Sequence, residues 1–342
     1  MKKMMKILAV VTVLIMAFSL VACGSSTTPA APAAAKPTAA ATVAPVATAA
    51  PAAELVVAGV VFQDDQFMKS LTQGYKDAAA KAGVKCLTGN TANDQAKEVE
   101  LINTYMTQKV NGLAIAPLDP KTSEPALKKA SDSGMKISIT NMDLSSAPYI
   151  VGGYTSDNEN IGAGVGAAAA KFVTEKLGGK AKIGILQFKS QVPAQSKARV
   201  DGFKSAFKDM PGVEFVADQD AWLTDKAVIV AGDMLTANPG INVIFGANDG
   251  GTKGATLAVK NAGKAGKIYT FGIDVDQQVI DFVKSPDNIL QAANGQDPYQ
   301  MGYKAMETLI KSLKGEDVSA SAGKTEIVPG KLVNRADPAS IK

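Results

Sequence analysis

From Glu54 onward the chain repeats one pattern, a short apolar run followed by a longer stretch of helical period. The runs fall at 55–61, 84–88, 112–117, 136–140, 182–188, 213–218, 242–247, 267–273 and 289–293. After the first run, Phe67, Leu71, Gly74, Ala78 and Ala82 share one helical face, and Gly83 can supply the left-handed residue that ends a helix. Strands that alternate with helices predict parallel sheets with right-handed crossovers, the helices lying on the sheet faces. The rhythm pauses at 148–153 and then resumes, which divides the body into two similar α/β lobes meeting near Ser156.

The residues ahead of this body cannot belong to it. Lys2, Lys3 and Lys6 precede an apolar run at 7–22, a basic start and a short core that read as a secretory signal over 1–22. Residues 24–53 hold fourteen Ala, five Pro and five Thr, with Val43 and Val46 as the largest apolar side chains. Such a segment buries too little surface to offset its ordering entropy, and its prolines oppose a helix. It reads as a disordered tether reaching up to ~90 Å at ~3 Å per residue. Removing the three leader lysines reduces the balance of 36 basic against 32 acidic residues to a single positive charge. A nearly neutral chain gives no electrostatic reason to expect nucleic acid.

Composition excludes several chemistries. With no histidine there is no Ser-His-Asp or Cys-His catalysis and no His-based metal site. Two cysteines build neither a disulfide framework nor a four-cysteine zinc site. No cofactor and no metal are expected, and Cys86 reads as a buried structural thiol.

In open parallel sheets ligands bind beyond the carboxyl ends of the strands. Those ends carry Gln63, Asp64 and Asp65 after the first run, and Asn141 and Asp143 after the fourth. A polar loop after the fifth leads to Arg199, and Asp220 and Trp222 follow the sixth. Asn248 and Asp249 follow the seventh, and Asp274 and Asp276 the eighth. Carboxylates accept, guanidinium donates and amides do both, while Phe67 and Trp222 offer flat apolar faces; the set suits a small polyhydroxylated molecule. Asp and Asn also favour helix N-caps, which accounts for some of them without a ligand.

Two sets of residues carry a family resemblance. Leu20-Val21-Ala22-Cys23 resembles the lipobox of bacterial lipoproteins, which implies lipid on Cys23 and a lipid-anchored linker over 23–53. The body resembles the type I periplasmic binding proteins, specifically the ribose/pentose-type sugar receptors of ABC importers. The carriers are Asp65-Gln66-Phe67-Met68, Ala116-Pro117, Ser156-Asp157-Asn158, Arg199-Val200-Asp201-Gly202-Phe203, Phe245-Gly246-Ala247-Asn248-Asp249, Phe271-Gly272-Ile273-Asp274 and Gln296-Asp297-Pro298-Tyr299.

The resemblance implies two doubly wound lobes joined by a hinge, one from 54–156 with 297–322 and the other from 157–296 with 323–342. It implies a ligand held between them by Asp65, Phe67, Met68, Asn141, Arg199, Trp222, Asn248, Asp274 and Gln296, with Phe67 and Trp222 as the stacking aromatics. Asp64, Asp143 and Ser156 are secondary candidates. Asn141 stands where the ribose receptors carry Asp, and Met142 where they carry Arg. Met68 replaces a second aromatic and Ala116 an asparagine; these departures point to a different sugar, polyol or larger ligand. The expected protein is a monomeric, lipid-anchored extracytoplasmic receptor, not an enzyme, that delivers a sugar or polyol to an ABC permease. A receptor of the same fold for autoinducer-2, a nucleoside or another small polar signal is the alternative, and a serine-type hydrolase a remote one.

Other motifs lose to plainer readings. Gly162-Ala163-Gly164-Val165-Gly166 lies within a helical stretch and suits close helix packing better than a dinucleotide turn. Gly251-Thr252-Lys253 reverses the order a phosphate loop needs, and the calcium-loop start at Asp274, Asp276 and Gln278 lacks the later Gly and Glu. Ser133-Gly134-Met135-Lys136 with Ser156-Asp157-Asn158 imitates penicillin-reactive serine enzymes, but their third element is missing.

Overall fold

The computed structural model describes residues 54–144 and 147–341. The expectations for the signal over 1–22, for lipid on Cys23 and for the tether over 23–53 lie outside the described residues.

The first half runs β1 (Val56–Val61), α1 (Gln66–Lys81), β2 (Lys85–Asn90), α2 (Gln95–Thr107), β3 (Gly112–Ile115), α3 (Pro120–Asp132), β4 (Lys136–Thr140) and β5 (Ile150–Thr155). The second runs α4 (Asn158–Leu177), β6 (Ala181–Gln187), α5 (Pro193–Ser205), β7 (Val213–Asp220), α6 (Thr224–Ala237), β8 (Val243–Gly246), α7 (Asp249–Asn261), β9 (Tyr269–Ile273), α8 (Gln277–Lys284) and β10 (Leu290–Gly295). Then come α9 (Pro298–Leu313), β11 (Thr325–Ile327), β12 (Lys331–Asn334) and a short 3-10 turn at Pro338–Ile341.

Two six-stranded sheets result, ordered β11-β5-β4-β3-β1-β2 and β12-β10-β9-β8-β6-β7. The first is parallel throughout; in the second only the β10–β12 pair is antiparallel. Both repeat one doubly wound order, so each lobe has a switch point, between β1 and β3 and between β6 and β8, where neighbouring loops diverge and leave a crevice. The central strands β3 and β8 are buried throughout, as helices on both faces require.

The chain crosses between the described sheets at 156–157, at 296–297 and at 328–330. After the second crossing, α9 packs on α1, β3, β4 and β5 of the first sheet. The third crossing comes later than expected: Thr325, Glu326 and Ile327 pair with Gly153, Tyr154 and Thr155, so 325–327 adds to the first sheet, and only β12 joins the second. The pause at 148–153 is also corrected, since β5 begins there. Its Gly152 and Gly153 carry no apolar signal, yet they let Ser321, Thr308 and Thr325 approach closely.

The glycines at 162–166 act in helix packing. A Cβ on Gly162 would lie 2.1 Å from the Arg199 carbonyl oxygen, and one on Gly202 would lie 2.1 Å from that of Glu159. The α4–α5 contact is therefore backbone against backbone, and it fixes the helix that carries Arg199. The other imitations resolve in the same way. Ser133 is the C-cap of α3, its Oγ donating to the Ala130 carbonyl at 2.6 Å, and Gly134 follows at φ 98. Cys86 lies on β2, half-buried rather than fully buried, and burial pushes its thiol up to about 11.

Candidate functional site

The carboxyl ends of the strands in both sheets face a shared cleft. On the first-lobe side β1 runs out into Phe62 and Gln63, and Asp65 starts α1. The Asp65 carboxylate accepts the Met68 amide at 2.8 Å as an N-cap and also accepts from the Gln63 side chain. Phe67 and Met68 follow on the first turn, and Asn141 stands just past β4 at φ 64. The second lobe supplies Phe188, Gln191, Val192, Gln195 and Arg199 from the β6–α5 region, Asn248 and Asp249 after β8, and Asp274 after β9. Gln296 sits at the second crossing between the sheets.

Arg199 organises the second-lobe wall. It is 3% exposed; its Nε donates to Asn158 Oδ1 at 2.8 Å and its NH1 to the Ala247 carbonyl at 3.0 Å, while the guanidinium lies 4.9 Å from the Phe188 ring centre. Burial pulls its pKa down, and the nearby charge of Asp274 opposes that pull. Asp274, at φ 73, accepts the Asp249 amide through Oδ2 at 2.9 Å and the Gln296 side-chain amide through Oδ1 at 2.8 Å. Gln296 Oε1 is buried and has no partner among the described residues.

Carboxylates outnumber cations here. Lys253, 7% exposed in its side chain, lies 2.7 Å from Asp249 and 2.6 Å from Asp276. Burial, then the charge of Asp274, pushes the Asp249 carboxyl up to about 6 against the bond from Lys253. Burial likewise raises the Asp65 carboxyl, against the Met68 amide. The wall is acceptor-rich, suited to a ligand that brings hydroxyl donors. The small central cleft, about 40 Å³, shares Phe67, Asp249, Asp274 and Gln296 with a larger cavity of about 260 Å³ bounded by Gln66, Ser70 and Pro298.

Side chains bridge the lobes directly. Gln191 donates to Gln63 and, at 3.2 Å, to Asn93; Gln195 donates to the Asn141 carbonyl and reaches the Met142 sulfur at 3.5 Å.

Of the residues expected from the sequence, Asp65, Phe67, Met68, Asn141, Arg199, Asn248, Asp274 and Gln296 come together around the cleft. Trp222 does not border this small space, although its indole Nε1 is buried without a partner among the described residues. Its carbonyl instead accepts the Asn248 side-chain amide at 2.9 Å while its half-buried ring packs on the core; the aromatic that the second lobe presents is Phe188. Asp64 also stays away, exposed and ion-paired with Lys69 at 3.2 Å. Asp143 and Ser156 line a separate cavity beside the cleft, and Ala116 is fully buried. The N-cap account and the cleft account hold together for Asp65 and Asn248, since the carboxyl end of a strand is also the start of the next helix. Gln191, in the loop before α5, and Gln195, buried on the first turn of α5 one turn ahead of Arg199, escape a sequence reading because a polar side chain adds nothing to an apolar period.

Two parallel-sheet lobes of like topology, with a polar cleft at their shared switch points, define a two-lobed receptor for a small solute. The chain belongs to the periplasmic binding protein family: the family described as periplasmic binding protein domain matches residues 56–317, and its members are extracytoplasmic. The chain is 27% identical over 283 residues to the ABC transporter periplasmic-binding protein YphF of Escherichia coli, covering 78% of this chain and 84% of that one. It is 30% identical over 274 residues to the ribose import binding protein RbsB of Haemophilus influenzae, covering 79% and 89%. A crystal structure of an ABC transporter periplasmic solute-binding protein from Actinobacillus succinogenes with bound D-allose is similar with a TM-score of 0.73 and 26% identity, covering 83% of this chain and 98% of that one.

Proposed function

We propose that this protein captures a monosaccharide or polyol between its lobes and delivers it to an ABC permease. The observation that carries this reading is the buried Gln296 Oε1, an acceptor left without a partner among the described residues, at the lobe junction beside Asp274. A buried acceptor without a partner costs ~1–3 kcal/mol, and a ligand hydroxyl relieves that cost. Asp65, Arg199, Asn248 and Asp274 surround it with fixed groups, Phe67 offers an apolar face, and the names of relatives that bind ribose and allose support the same ligand class.

The carboxylates already serve as caps and acceptors, which favours binding without reaction. Closure follows a two-state scheme in which ligand contacts to both lobes hold the Gln191 and Gln195 bridges shut, and the permease reads the closed surface. Lipid on Cys23 and the tether over 23–53 keep a monomeric receptor near the membrane.

The test is a melting-temperature screen of the protein, unfolded and refolded to strip carried ligand, against sugars, polyols, nucleosides and amino acids. A true ligand raises the melting temperature by mass action. Stabilisation by nucleosides or amino acids alone would overturn the sugar reading.

A further inference from the structure

Beside the cleft, on the edge formed by the first and third crossings, lies a cavity of about 620 Å³. That volume lies within the usual ligand-site range of ~300–1,000 Å³. It is bounded by the starts of α3 and α5, by Thr155 to Glu159 and by Ile327. Much of its wall is apolar: Leu118, Pro120, Met142, Val192, Pro193 and Ile327. Its acids, Asp119, Asp143, Asp157 and Glu159, face one cation, Lys121, so the charge disfavours an anion. Inside it Ser156 is 4% exposed, and its Oγ is buried without a hydrogen-bond partner among the described residues.

The cavity and the cleft are separate spaces that share a thin wall. Val192 and Gln195 line both spaces, and Gln195 closes the gap by reaching Asn141 and the Met142 sulfur. Met142 is unbranched and adaptable, so it can fold aside where a branched side chain could not.

We propose that the ligand of this receptor is a neutral, substituted sugar, a glycoside or comparably extended polyol. Its polar ring occupies the cleft, and its apolar substituent passes Met142 into the crossing-side cavity, where Ser156 Oγ meets a linking or terminal oxygen. This deepens the sugar reading and rests on it. The central cleft alone is small, while the neighbouring space is large, apolar and provided with one unpaired hydroxyl.

The test titrates the full chain, in detergent, with D-ribose and D-allose, their methyl and phenyl glycosides in both anomers, and their phosphate esters. Trp222, the single tryptophan, gives the fluorescence signal and calorimetry the affinity. At least one phenyl glycoside should bind about tenfold or more tighter than its parent sugar, from the apolar area removed from water. Ala194→Phe, at an exposed position on the cavity wall, should erase that gain while changing the parent sugar's affinity by less than about twofold. Ser156→Ala should reduce the glycoside's affinity several-fold, since the buried hydroxyl no longer meets the linking or terminal oxygen. Parent sugars that bind with no gain from any glycoside, a gain that survives Ala194→Phe, or preference for the phosphate esters would overturn this inference and leave the sugar reading standing. Binding of none of these compounds would overturn both.

Discussion

Gln296 donates its amide to Asp274 Oδ1 at 2.8 Å, and the same rotamer leaves Gln296 Oε1 buried and unpaired at the junction of the lobes. Gln296→Ala should therefore weaken ligand binding by about 5- to 150-fold, the equivalent of ~1–3 kcal/mol for one lost hydrogen bond to a buried group. The melting temperature without ligand should move by only a few degrees, since the side chain removed carries its own unpaired acceptor. Calorimetric titration beside a thermal melt checks both, and unchanged affinity would remove Gln296 from the site.

Arg199 has a double duty that its sequence position does not reveal. Its bonds to Asn158 Oδ1 and the Ala247 carbonyl tie α4, α5 and the β8–α7 turn together. Arg199→Ala should abolish binding and also cost about 2–4 kcal/mol of stability, so loss of binding alone is not the expected phenotype. Arg199→Lys keeps the charge without the planar fork and should lose at least about tenfold in affinity. Urea unfolding and titration of both variants separate the two roles.

Asp249 gives the protein a pH signature. Burial and the Asp274 charge lift its carboxyl from 3.8 to about 6, so the folded state holds a proton that the unfolded chain has already released. The stability from this group is complete below about pH 4 and is lost as pH rises through about 6, by roughly 2–3 kcal/mol. Asp249→Asn should flatten that part of the stability curve, whatever the loss of the Lys253 bond does to its height. Urea melts of both proteins from about pH 4 to about pH 7 test this; parallel curves would sink it.

The α4–α5 contact transmits to the site. At Gly162 even a methyl group would meet the Arg199 carbonyl at 2.1 Å, so Gly162→Ala must push α5 outward. We expect a loss of about 1–3 kcal/mol in stability together with a several-fold weaker ligand affinity, because the displaced helix carries Arg199. Retained affinity in a destabilised variant would show that Arg199 tolerates the shift.

Gln191 bridges the lobes through Gln63 and Asn93. Gln191→Ala should favour the open form without ligand and raise the dissociation constant a few-fold, since closure must then be supplied by the ligand alone. Small-angle scattering with and without a stabilising sugar measures the change; identical profiles would defeat two-state closure.

Much of this molecule is legible in the residues themselves. The nine apolar runs correspond to nine strands; the central ones are buried on both faces and need continuous apolar side chains, while β2 and β7, exposed at the sheet edges, carry mixed runs. Asp65, Asn248 and Asp274 could be placed near a ligand because strand ends and helix starts coincide at the mouth of a parallel sheet. β5 is hidden because two glycines interrupt it, and β11 and β12 because Thr325-Glu326-Ile327 and Lys331-Leu332-Val333-Asn334 mix polar with apolar residues and form no apolar run.

What the sequence determined was the alternation, and with it the two parallel lobes and the rim on which polar side chains gather. Tertiary structure alone decided which rim residues meet: Phe188 rather than Trp222 on the second-lobe face, Asp64 turned away from Asp65, and the Gln191 and Gln195 bridges. Strand and helix patterns are local, set by side-chain period over a few residues. A cleft between lobes is made of contacts between residues as far apart as Gln63 and Gln191, and their meeting depends on how the crossings orient the two sheets.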